Sequence, residues 1–343
     1  MPSQRRLGLL LLASILSITP LLALTAPAHA GASTPVPSPT TPAPTVVRIG
    51  AYVVNLGDFN VGQGTFNADF YLWFSWQGTW ANATGSAAGF PSAFELMNGV
   101  IDKSTLIEAD QNISGTGQNY MIYRIEAQMS DPINLQSYPF DRHVLTIEVE
   151  DQDHNESSLV YLADKETRLD SLVQLQGWDI RSSGVSAAVI DHFYNTTFGY
   201  PGQNVYETYS RFIVSIPIGR PVFPAVVQTF IPIILILIVA MTSFHIKMDE
   251  FGTRLSLNVV TLLTAAAFQI SLTSNIPQFG FLTLADRLLI GVYCLLVYSL
   301  VITVAQHALR VGRTLDAVKR LEESNWIIFP AAAALLVVVQ FLI

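Results

Sequence analysis

The chain has a single cysteine, Cys294, so no disulfide can form within it. Any part that folds in an oxidising compartment is held by packing alone. Charge is also scarce: Asp, Glu, Lys and Arg make up 13% of 343 residues, against roughly 25% in ordinary soluble domains. The formal net charge of −8 comes with no basic block, so the footprint of nucleic-acid binding is missing. Catalytic patterns are missing too. There is no Ser/His/Asp set, no metal-spaced His/Cys cluster and no phosphate loop, and the six histidines are scattered at 29, 143, 154, 192, 245 and 307. An enzyme is the weakest reading.

What the chain does have is apolar sequence, with a mean hydropathy of +0.41. It is concentrated in the first 30 and the last 125 residues, while residues 45–215 read as a soluble domain. Arg5 and Arg6, then LGLLLLASILSITPLLAL, then Ala28-His29-Ala30 form the pattern of a cleavable secretory signal over residues 1–30. An uncleaved anchor helix is the alternative. Residues 31–45 (GASTPVPSPTTPAPT) are too rich in Pro, Thr and Ser to bury a core and read as a flexible tether. The mature protein is expected to start near Gly31, outside the inner membrane.

From Val46 to about Arg211 the pattern is mostly period two. FNADFYLWFSW (66–76), YMIYRIEAQM (120–129), HVLTIEVE (143–150) and YSRFIVSIPI (209–218) alternate or are rich in β-branched and aromatic residues. Asn55-Leu56-Gly57-Asp58, Gly115-Thr116-Gly117 and Tyr200-Pro201-Gly202 separate them as turns, which predicts an all-β, immunoglobulin-like sandwich over 46–220. The only helical competitor is a short turn near Ser92–Met97.

Residues 221–343 change texture. Four apolar segments at about 222–244, 252–274, 284–306 and 326–343 each have the length to cross a bilayer, so a four-helix transmembrane bundle is expected. Arg310, Arg313, Lys319 and Arg320 mark the 307–325 linker as cytoplasmic, together with the Lys247 loop. The 275–283 loop carries no Lys or Arg, so it, the β domain and the C-terminus fall outside.

The second segment carries many polar residues. At 100° per residue, Ser256, Val260, Leu263, Ala267, Ile270 and Ser274 share one stripe, hydroxyl at both ends and apolar between. Thr261 and Thr264 flank it, and Asn258 and Gln269 lie on the far side. Two readings stay open on periodicity alone: a buried helix using hydroxyls as interhelical glue, or a pore liner, which one four-span chain could only supply as part of a ring of copies. Arg254 at the inner end can snorkel to the interface, so it does not contradict a spanning helix.

Residues 138–141 read Tyr-Pro-Phe-Asp within SDPINLQSYPFDRHV, which resembles the signature loop of the pentameric ligand-gated ion channels, the Cys-loop receptor superfamily. Ser130 and Val144 stand where animal members carry the loop's two cysteines, so the disulfide is absent, as in the bacterial members. The resemblance covers nearly the whole mature chain. It runs through Trp76, LQGWDI (175–180), Arg220 before the first membrane helix, Pro232 within it, Asn275-Ile276-Pro277 and Asp286.

The resemblance implies a homopentamer whose second membrane helices line the pore, with Leu263 at the hydrophobic gate and Ser256 in a hydroxyl ring near the inner mouth. The transmitter pocket between neighbours would draw Tyr71 from one side and Glu95, Leu96, Asp151, Phe198, Tyr200 and Tyr206 from the other. Ordinary strand packing is the competing account of each aromatic. Asp151 replaces a tryptophan of many animal receptors, which weakens a cation–π reading but leaves a polar pocket. Coupling would run through Asp58 in the 57–62 turn, Pro139, Phe140, Asp141, Arg220 and Pro277.

Thr253 stands where cation channels usually carry Glu, and the Pro-Ala of anion channels is also missing. Asp249 and Glu250, with Thr253 and Arg254, form the expected pore mouth, and the acids favour cations. The acidic run EVEDQDHNE (Glu148, Glu150, Asp151, Asp153, His154, Glu156) reads either as a proton or divalent-cation site or as a solvated hairpin tip. The sequons at Asn82, Asn112, Asn155 and Asn195 are discounted for a bacterial-type chain.

The expected partners are copies of the chain, membrane lipid, permeant ions and a proton or small-molecule agonist. No cofactor is required, divalent modulation is an option and nucleic acid is excluded. The rival function is a membrane-anchored extracytoplasmic sensor that conducts nothing.

Overall fold

The computed structural model describes residues 43–78, 93–199, 206–274, 280–312 and 315–342. The signal segment, most of the tether, Asn82, Tyr200 and Pro277 lie outside these residues. Among those described, the strands are β1 (Thr45–Asn60), β2 (Thr65–Gln77), β3 (Phe94–Leu96), β4 (Gly99–Ile113), β5 (Gln118–Ser130), β6 (Arg142–Asp151), β7 (Leu159–Ala163), β8 (Arg168–Leu169), β9 (Asp179–Ile180), β10 (Ser186–Tyr194) and β11 (Glu207–Gly219). One sheet has the order β4-β5-β2-β1-β7, with β8 beside β1; the other runs β10-β11-β6-β3, with β9 beside β11.

Strict alternation builds the core between the sheets. Phe66, Phe70, Leu72 and Phe74 of β2 are fully buried, against Leu145, Ile147 and Val149 of β6 and Phe212, Val214 and Ile216 of β11. Each such side chain contributes about 1.5–3 kcal/mol through burial, enough in sum to replace the missing crosslink. A tight reversal joins β1 to β2. Gly64 has a φ of +69°, and a Cβ there would run into the Asp131 carbonyl.

Two local expectations change. Within the segment expected as a short turn, Phe94–Leu96 instead pairs with β6 as a strand, while Ser92 lies outside the described residues. The fifteen-residue β4 was not among the expected strands, because its side chains are almost all exposed and polar residues interrupt any apolar alternation.

Four helices follow: α1 (Val222–Thr242), α2 (Phe251–Thr273), α3 (Leu284–Val311) and α4 (Leu315–Leu342). All four are long and apolar enough to cross a membrane. α3 continues past 306 and α4 begins well before 326, so most of the segment read as a linker is helix. LDAVKRLEESN is polar but made largely of good helix formers, so hydropathy ends there while backbone propensity does not.

Candidate functional site

The polar residues of α2 divide between two faces. Arg254, Asn258, Thr261 and Ala265 form its buried stripe. Asn258 donates to Thr303 Oγ1 at 3.0 Å and accepts from Ser299 at 3.0 Å, tying α2 to α3. Interhelical glue is therefore real, but it occupies the back of the helix. Ser256, Val260, Leu263, Ala267, Ile270 and Ser274 are all exposed in the single chain, Leu263 at 65% and Ile270 at 70%. A helix anchored on one polar side and presenting a hydroxyl-ended stripe on the other is built to meet something outside its own subunit.

Arg254, which could have snorkelled to the interface, faces the bundle instead; only 1% of it is exposed. Its Nε donates to the Ser243 carbonyl at 2.8 Å, Nη1 reaches Gln306 at 3.3 Å, and Nη2 lies 3.8 Å from Glu322 on α4. The rotation that turns the 256–263–270 stripe outward turns Arg254 inward. Asp249 is ion-paired with Arg310. Glu250 and Thr253 are exposed at the same end of α2.

Where the sandwich meets the helices, Asp141 is 1% exposed. It accepts from Arg220 Nε at 2.7 Å, and His143 Nε2 lies 2.8 Å from its second oxygen. The Arg220 guanidinium sits 5.0 Å from the Tyr138 ring and 4.5 Å from Trp178, two cation–π contacts. Phe140 stacks on Phe230 of α1 at 5.8 Å. The first amides of α3, which have no partner within the helix, go to this loop: Leu284 N donates to Gln136 O at 2.9 Å and Ala285 N to Tyr138 O at 3.2 Å. Asp58 is exposed and takes Asn67 Nδ2 at 2.9 Å, while Phe59 of the same turn packs on Trp178 at 5.1 Å. His143 and Trp178 were not among the expected coupling residues, whereas Phe59 lies in the 57–62 turn that was. The period-two reading of HVLTIEVE, which puts His143 inward with Leu145, could have flagged the first.

The outward face of the second sheet gathers a polar and aromatic group. Glu150, only 1% exposed, takes Arg211 Nε at 2.6 Å and the Tyr194 hydroxyl at 2.8 Å. Arg211 also reaches Glu148 at 2.7 Å. Tyr209 lies edge-on to Tyr194 at 5.6 Å, and Phe198, 73% exposed, sits 5.5 Å from Tyr194. Glu95 is the cross-strand neighbour of Glu150. Burial, with Glu150 beside it, raises the Tyr194 phenol above its ordinary value.

Strand alternation corrects two expected pocket residues. Leu96 and Asp151 share the inner side with Val149, so Leu96 packs in the core and Asp151 is buried. Asp151 Oδ1 accepts from the Asp153 and His154 amides at 3.0 and 2.8 Å and lies 2.7 Å from His154 Nδ1. Burial outweighs these contacts and raises its pKa. The acidic run is therefore two separate groups, Glu148–Glu150–Arg211 outside and Asp151–His154 inside, with Asp153 exposed. Among the described residues no three His, Cys, Asp or Glu side chains converge as a metal site. Tyr71, on the other sheet, has Arg124 at 5.8 Å over its ring, with Arg124 held by Asp69 at 2.7 Å. Tyr206 is 54% exposed and 6.0 Å from Phe193.

A β-sandwich joined through a buried acid–arginine pair to four helices long and apolar enough to cross a membrane, one of which turns a hydroxyl-ended stripe outward, defines a multi-pass membrane protein with a folded β domain. The model of the neurotransmitter-gated ion-channel transmembrane region matches residues 229–327. A proton-gated ion channel of Gloeobacter violaceus is 24% identical over 224 residues, 64% of this chain and 58% of that protein. The gamma-aminobutyric acid receptor subunit beta-4 of Gallus gallus is 25% identical over 173 residues (50% and 33%), and the human subunit rho-3 is 26% identical over 152 (43% and 30%). The chain thus spans 30–58% of the length of these relatives. Its helical part matches the transmembrane region of neurotransmitter-gated ion channels, and the relatives it resembles are ion channels.

Proposed function

We propose that five copies of this chain assemble around a pore lined by α2 and opened from the sandwich side by protons or a small ligand. The observation that carries this is the division of α2: a buried, hydrogen-bonded stripe through Asn258, and an exposed stripe through Leu263. A non-conducting sensor would need the first stripe but not the second. The gate falls in the apolar stretch from Leu263 to Ile270, which closes by dewetting. Loop charge supports placing the sandwich and C-terminus outside the inner membrane.

The agonist site supported best lies between subunits, with Glu95, Glu150, Tyr194, Phe198 and Tyr209 on one face and Tyr71 on the neighbour. Acids and aromatics together suit a proton or a small amine. Cations are favoured because Glu250 is the acid at the inner mouth that is not engaged by a basic side chain among the described residues, Asp249 being paired with Arg310. Whole-cell current with external pH stepped from 8 to 4, an amine panel at each step, and ion-substitution reversal potentials tests the reading. A current whose threshold shifts at least tenfold in Leu263→Ala supports it. Surface pentamers with no current under any condition would favour the non-conducting sensor.

A further inference from the structure

A cavity of about 320 Å³ opens beside the domain junction, lined by Tyr138, Gly177, Arg220, Pro224 and Gln228 among others. We propose that it binds the phosphodiester headgroup of a phospholipid from the leaflet on the sandwich side. Arg220 supplies the charge. Its Nε is used by Asp141, but among the described residues Nη1 and Nη2 donate to no protein acceptor, although the side chain is only 24% exposed. A guanidinium carries four N–H groups on those two nitrogens. The rings of Tyr138 and Trp178 fix its plane, leaving the fork open for two phosphate oxygens. Asp141, only 1% exposed, is closed to a cation from outside.

The surroundings add partners of the right kind. The exposed amide of Gln228 makes no hydrogen bond to protein among the described residues. Pro232, four residues on in α1, has no N–H to offer the Gln228 carbonyl, which leaves an acceptor for a headgroup hydroxyl or ammonium.

Geometry distinguishes a lipid from a dissolved anion. Residues seven apart on a helix lie nearly above one another. Below Pro224 and Gln228 on α1 therefore come Ile231 and Leu235, which are apolar and 45% and 56% exposed. The cavity thus continues into an uncovered apolar track within a span that begins at Val222. A headgroup in the cavity would lay its acyl chain on that track.

The test uses the full chain purified in detergent, with native mass spectrometry and thermal melting. Wild type, Gln228→Trp to fill the cavity, and Leu235→Ser to make the track polar are each titrated with phosphatidylglycerol, phosphatidylcholine or inorganic phosphate. The expected result is retained phospholipid and a rise in Tm on lipid addition for wild type, with at least a tenfold loss of apparent affinity in both variants and no response to inorganic phosphate. An equal response to inorganic phosphate would overturn the lipid assignment in favour of a soluble anion. Unchanged lipid retention in Gln228→Trp would overturn the site. Loss of the oligomer in that variant would also overturn it, showing that a neighbouring subunit fills the cavity.

Discussion

Single side chains set the chemistry of the two buried acidic centres at Asp141 and Asp151. Asp141 is buried and serves both Arg220 and His143, so removing its charge strands a guanidinium between two rings. Asp141→Asn is expected to cost about 3–5 kcal/mol and to abolish gating. Melting of the purified protein reads the first, and current per surface-labelled channel the second. Asp151 is raised by burial, so the folded chain takes up a proton more readily than the unfolded one. Its stabilising contribution is present in acid and is lost as pH rises through that raised pKa. Asp151→Asn should therefore melt above wild type at neutral pH, with the gap closing as pH falls towards 4. If protons open the channel here, the same substitution shifts the activation midpoint. A melting difference independent of pH would remove Asp151 as a proton site.

At the scale of elements, α2 and α4 carry the sharpest tests. Glu250→Gln should move the reversal potential away from the cation equilibrium potential, whereas Arg254→Lys should alter assembly or gating and leave selectivity in place, because Arg254 faces the bundle. Equal selectivity changes in both variants would contradict the assigned rotation of α2. α3 and α4 approach so closely at Gly291 that an added Cβ would collide with Leu336. Gly291→Ala is expected to cost about 1–3 kcal/mol, with partial rescue by Leu336→Ala in a thermal-denaturation cycle. These elements also show what a sequence reveals. β2 announces itself because one face is wholly apolar and β11 because its inward face is apolar from Phe212 to Ile218, and the α2 stripe grouped by angle alone is exposed along its length. β4 did not, since an exposed strand has no alternation to read, and the start of α4 did not, since polar helix formers carry no hydropathy. Which side of α2 faced inward could not be read from one helix: Asn258 needed Ser299 and Thr303, forty residues and more away, to commit it.

For the whole molecule, the absence of a disulfide leaves the sandwich dependent on the Phe66–Phe70–Phe74 layer. Phe70→Ala, at the centre of that layer, should lower stability by about 3–5 kcal/mol, and urea unfolding should be unaffected by reducing agent. The candidate ligand face was legible in part. The sequence supplied Glu95 and Phe198, but the choice between Glu150 and Asp151 depended on strand phase, and Arg211 emerged only once β6 and β11 were side by side.

The joint between sandwich and bundle has one property that reaches beyond gating. α3 is fastened to the signature loop by main-chain atoms, the amides of Leu284 and Ala285 meeting the carbonyls of Gln136 and Tyr138. Every residue but proline carries the amide this fastening uses, so it makes little demand on side chains. A recombinant chain that joins this membrane half to the sandwich of a distant relative is expected to keep the fastening where the loop retains its length, with the side-chain contacts of Arg220 and Phe230 among those to match. Exchange of one sandwich for another on the same four-helix base is thus expected to disturb the joint little, a route by which one bundle can come to carry many different β domains.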